Sequence, residues 1–121
     1  MGVRKSFPIL TTTDLERLES FYVTALGAER TYEFADDFHE VFVALRLGAS
    51  ELGLALDERL TGRPAAVALW VDVDDVDDAY GRCLDEGAVS VAPPSLMPWG
   101  ERVAQVRDPA GFTVHLGDEA G

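Results

Sequence analysis

Cysteine, positive charge and long apolar runs are all scarce in this chain, and each shortage removes a class of function. One cysteine, Cys83, among 121 residues permits no internal disulfide, and its helical surroundings read as a buried structural thiol rather than a nucleophile. Ten Lys and Arg stand against 22 Asp and Glu, a formal net charge of −12. That balance argues against nucleic acid or an anionic membrane as partner, because both require concentrated positive charge. Cationic and neutral ligands remain open, as does acidity serving solubility alone. No apolar stretch approaches the ~20 residues of a membrane span, and the N-terminus lacks the apolar core of a signal peptide. A cytoplasmic protein is the expectation.

What the chain does contain is punctuation. Asp108-Pro109-Ala110-Gly111 is a turn: proline presets φ, aspartate can bond backbone amides two residues on, and glycine tolerates positive φ. Apolar and β-branched residues over 103–106 and 112–116 make the turn the tip of a hairpin. Ahead of it, Met97-Pro98-Trp99-Gly100 sets an indole between two breakers of regular structure, which leaves Trp99 as either a core anchor or a loop side chain at a strand mouth.

Residues 7–13 read as a first strand, with Phe7, Ile9 and Thr11 on one face. Thr13 or Asp14 caps a following helix, Thr13 having Glu16 at capping-box spacing, and Leu15, Leu18, Phe21, Tyr22, Ala25 and Leu26 recur at helical intervals until Gly27. Strand-like segments at 29–34, 40–47 and 51–56 complete a meander, and a polar linker covers 58–64. The order then restarts: a strand over 65–73, a helix capped by Asp74 or Asp75 and closed by Gly87-Ala88, and three strands from Val89 to Leu116. The chain is thus strand-helix-strand-strand-strand twice, displaced by about 60 residues. Asp72, Asp74, Asp75, Asp77 and Asp78 gather where a helix dipole favours negative charge. A calcium loop would need a glycine and a distal glutamate that the spacing lacks.

The doubled unit, the Asp14-to-Tyr22 helix entry with Leu26-Gly27, the Val73-to-Tyr80 entry, and Trp99-Gly100 followed by Asp108-to-Gly111 together resemble the vicinal oxygen chelate superfamily. That group includes glyoxalase I, extradiol dioxygenases and the bleomycin-resistance proteins. The resemblance implies an α+β fold in one domain over 1–121: two tandem βαβββ modules, at about 5–57 and 65–118, whose curved mixed sheets enclose a cavity. It also implies a homodimer.

In metal-dependent members, His or Glu ligands occupy the first and last strands of each module. Carried onto this chain, those positions fall on Phe7, Gly53, Ala68 and His115, of which only His115 can bind a metal, while catalytic sites need about three protein ligands. Glu51, His39 and Glu40 are the other conceivable donors. The expectation is therefore a binding pocket with no metal and no cofactor, lined by Phe7, Ile9, Thr11, Gly53, Ala68, Trp70 and His115, with Met97, Trp99 and Arg102 near the rim. Trp70 has burial between the modules as its alternative, and His115 a satisfied interior role. Arg102 has a surface salt bridge as the alternative to an anionic ligand group. The function implied is a small-molecule binder that sequesters a planar or cationic antibiotic or toxic metabolite. The alternatives are a metal-dependent glyoxalase- or dioxygenase-type enzyme, or a metal-free enzyme or interaction module of the same fold.

Overall fold

A computed structural model describes residues 7–37, 40–58 and 68–118. The elements run β1 (Ile9–Thr12), α1 (Leu15–Leu26), β2 (Glu29–Ala35), β3 (Glu40–Leu47), β4 (Ser50–Leu56), β5 (Ala68–Asp72), α2 (Val76–Asp85), β6 (Val89–Leu96), β7 (Arg102–Arg107) and β8 (Thr113–Asp118). This is βαβββ twice over. Each module forms one four-stranded mixed sheet, in the orders β1-β4-β3-β2 and β5-β8-β7-β6. The helix returns the chain so that β1 lies parallel to β4 and β5 parallel to β8, while the hairpin-connected strands are antiparallel. Most of the linker expected over 58–64, the start of the strand expected from 65, and His39 lie outside the described residues.

Local chemistry sets the helix ends. Asp14, not Thr13, caps α1: its carboxylate accepts from the Arg17 amide at 3.1 Å, and the Thr12 hydroxyl accepts from the Asp14 amide at 3.0 Å. The charged carboxylate sits where the first unpaired amides point. Gly27 closes the helix at φ 75°, a left-handed conformation that lets its own amide and that of Ala28 reach the last carbonyls. Asp75 caps α2 through the Asp78 amide at 3.2 Å.

Strand ends differ from the expectation where proline intervenes. β1 begins at Ile9, because Pro8 has no amide hydrogen to donate, although its carbonyl accepts from Gly53 at 2.8 Å. β6 continues through Pro93 and Pro94 to Leu96, which is tolerated because it is an edge strand and its register against β7 slips on either side of Ala92.

Each helix packs on one face of its own sheet, and the two helices pack on each other. Leu10, Val43, Leu45, Leu52 and Leu54 meet Leu18, Phe21 and Tyr22 there, and Val106, Val114 and Leu116 meet Val76, Ala79 and Cys83, all within one continuous apolar cluster. A shared core is what two halves of this size require, since neither buries enough surface alone. Burial pushes the Cys83 thiol up to about 11, in keeping with a structural role.

Among the described residues, the other face of each sheet carries no helix. No strand of one sheet is hydrogen-bonded to a strand of the other among the described residues. The sheets therefore do not close on each other, and the enclosed cavity expected from the resemblance is instead a pair of open faces.

Candidate functional site

On the second sheet, strand register carries one row of side chains across the open face: Trp70 opposite His115, His115 opposite Gln105, and Gln105 opposite Ala92. Trp70 is 49% exposed but held. Its indole stacks on the His115 imidazole, with centroids 6.0 Å apart and planes 19° apart, and Nε1 donates to the Asp72 carboxylate at 2.8 Å. The ring also lies over Gly117, where an added Cβ would come within 2.5 Å of Cζ2. Glycine at 117 is thus what allows the indole to lie flat along the sheet. A second row, Ala68, Thr113, Arg107 and Val89, runs beside the first. Along one edge of Trp70 a cleft of about 400 Å³ separates the β3–β4 turn from β5 and Arg82 of α2.

On the first sheet, the rows are Ile9, Gly53, Ala44 and Tyr32, then Thr11, Ala55, Phe42 and Phe34. Tyr32 and Phe42 approach with centroids 6.2 Å apart. Gly53 leaves no free volume: Ile9 Cγ1 and the Phe42 ring already stand 3.0 and 3.1 Å from where its Cβ would be.

The strand register sets Ile9 opposite Gly53 and Trp70 opposite His115. Phe7 precedes β1 and Ala68 sits one row along. The residues at the four facing positions offer one imidazole, a glycine and two apolar or aromatic side chains. No group of three His, Cys, Asp or Glu side chains gathers among the described residues. This donor set does not fit the divalent metal of the metal-dependent members.

The remaining expected residues separate. Arg102 faces the helix side of its sheet, where its guanidinium makes a bidentate pair with Asp77 of α2 at 2.7 and 2.8 Å, away from Trp70 and His115. That contact holds the Asp77 carboxyl below its ordinary range. Trp99 is at the tip of the β6–β7 connection, which Met97 closes through its carbonyl to the Gly100 amide (2.9 Å) and its amide to the Glu101 carbonyl (2.7 Å). It is 63% exposed and its Nε1 donates to Glu101 at 2.9 Å, so it is not a core anchor. Met97, at the base of that loop, is half-buried.

Sequence reading passed over Gln105, Arg107 and Gly117. For the first two a signal existed: a hairpin turning on residues 108–111 pairs Arg107 with Thr113 and Gln105 with His115. Gly117 carried none, because its role lies in the ring above it.

A family model described as the Glyoxalase/Bleomycin resistance protein/Dioxygenase superfamily matches residues 7–116. No curated protein matches the sequence. Among solved structures, TioX from Micromonospora sp. ML1 superposes with a TM-score of 0.80 at 22% identity, over 97% of this chain and 99% of that one. A hypothetical protein from S. aureus gives 0.79 at 19%, over 98% and 95%. A glyoxalase/bleomycin resistance protein/dioxygenase family enzyme from Burkholderia phytofirmans PsJN gives 0.79 at 20%, over 93% and 96%. At these identities the likeness is one of fold.

Proposed function

The chain belongs to the glyoxalase/bleomycin resistance protein/dioxygenase superfamily, and from that membership together with the make-up of its open faces we propose that it binds a planar small molecule without metal catalysis. The ligand class is that of an antibiotic or toxic metabolite, sequestered rather than transformed. The observation that carries this reading is Trp70: a large aromatic surface half open to solvent, yet locked by His115, Asp72 and the gap over Gly117. A ring whose orientation is already set loses little entropy when a flat ligand stacks on it.

The pocket is completed by a second copy of the chain. Ile9, Tyr32 and Phe34 are each more than half exposed on the open face of the first sheet, and a lone soluble protein rarely leaves such a contiguous apolar area wet. A homodimer that sets one copy's first sheet over the other's second sheet would cover it and give Trp70 an opposite wall. A metal-dependent lyase or oxygenase reading draws no support from the donor set.

Native mass spectrometry of protein purified from its host tests the proposal, as a co-purifying small molecule is expected at up to one per open pair of faces. Tryptophan quenching by that compound, lost in Trp70→Leu and retained after chelator treatment, is the confirming result. A metal-dependent turnover of the compound would overturn it.

A further inference from the structure

We propose that the open face of the second sheet selects an aromatic carboxylate, with Arg107 receiving the acid group while the ring stacks on Trp70. The inference rests on the ligand-binding reading above and supplies the ligand's chemistry. It also runs against the expectation from net charge, because local composition, not the total of −12, decides what a face of this size attracts.

Two adjacent rungs of the β7–β8 ladder, Gln105 with His115 and Arg107 with Thr113, place four side chains able to donate hydrogen bonds on this face. Their neighbours across the sheet are Trp70 and Ala68 on β5 and Ala92 and Val89 on β6. No carboxylate lies among these eight positions. The nearest on the same face, Asp72 in the next row, already accepts from Trp70.

The four donors are also unspent. Arg30, Arg46, Arg82 and Arg102 are each paired with carboxylates. Arg107 makes no ion pair with a described residue, although acids outnumber bases 22 to 10. Gln105, Thr113 and His115 make no side-chain hydrogen bond to a described residue either. Gln105, Thr113 and His115 are half-buried and Arg107 is exposed, so a bound carboxylate would exchange water for a charge-assisted fork on a partly desolvated surface. From strand spacing, the Cα atoms of Trp70 and Arg107 are about 12 Å apart. The indole leans toward Gly117 and Asp72, away from the row of Arg107, so it is the long arginine stem that shortens this span, and an elongated two-ring acid has the length to bridge the rest.

Calorimetric titration of the dimer with naphthalene-2-carboxylate, naphthalene-2-carboxamide and 2-(aminomethyl)naphthalene compares one ring at three charges. The carboxylate is expected to bind roughly tenfold or more tighter than the ammonium, the size of one charge-assisted hydrogen bond, with an affinity that falls as salt rises. Arg107→Met keeps the aliphatic stem and should abolish that preference without changing the carboxamide's affinity, while Arg107→Lys keeps part of it. Equal or tighter binding of the ammonium, or an unchanged preference in Arg107→Met, overturns the assignment and leaves planar-ligand binding standing. Failure of all three probes to bind folded protein overturns both.

Discussion

Tyr22, in the helix of the first module, donates a 2.6 Å hydrogen bond to Asp108, in the last turn of the second, and both side chains are buried. The other oxygen of Asp108 accepts from the amides of Ala110 and Phe112, at 2.9 and 3.0 Å. One carboxylate therefore shapes the turn that aligns Gln105 with His115 and also ties that hairpin to α1. Tyr22→Phe should leave this carboxylate short of a donor and cost about 1–3 kcal/mol, read as a lowered urea midpoint. A loss below about 0.5 kcal/mol, the scatter of a neutral surface change, would show the link to be dispensable.

The same carboxyl makes a pH prediction. Burial pushes it above its ordinary value, against the hydrogen bonds from Tyr22, Phe112 and Ala110 that pull it down. The folded state thus holds the proton more tightly than the unfolded chain. Its stabilising contribution is fully present below the unfolded value of about 3.9 and is lost as pH rises through the folded value. Asp108→Asn removes this slope, so the variant's stability relative to the parent should improve as pH rises through that window. Urea midpoints of both proteins across the acid range measure it, and parallel curves would contradict it.

Gly117→Ala addresses the platform directly. Its methyl would meet Trp70 at 2.5 Å, so the indole must leave its place against His115 or the strand must move. The expected outcome is a shifted tryptophan emission and a fall in planar-ligand affinity of roughly tenfold or more, since stacking contributes ~0.5–1.5 kcal/mol beyond area burial and the fixed orientation is lost as well. Trp99→Ala, which alters an exposed loop tip held by Glu101, provides the comparison. If it weakens binding as much as Gly117→Ala, the ligand extends to the β6–β7 loop.

Sedimentation at high micromolar concentration should find a homodimer. Phe34→Glu places a charge in the exposed apolar row of the first sheet and should shift the protein to monomer with unchanged far-ultraviolet dichroism. A parent protein that sediments as monomer rules out the completed pocket.

Chelator dialysis should leave ligand affinity unchanged, because Ile9, Gly53 and Trp70 supply no donor beside His115. Near one equivalent of transition metal per chain surviving the dialysis would count against this.

The amino-acid sequence by itself determined the order of elements and both helix caps to within one residue. These are short-range properties: side-chain alternation, capping groups and turn residues act within a few positions of each other. The tertiary structure decided what lies opposite what. Pairing of Ile9 with Gly53 and of Trp70 with His115 depends on parallel strands brought together through a helix, whose register no local pattern records. Gly53 was expected to line a pocket, yet Ile9 and Phe42 fill the space above it, because free space depends on the neighbours across the sheet. Arg102 could have met a ligand or a carboxylate, and the packing of α2 on its sheet brought Asp77 to it. Arg107, at the other end of the same strand, was left with its charge on the open face, because strand alternation turned it there and no helix among the described residues covers that side.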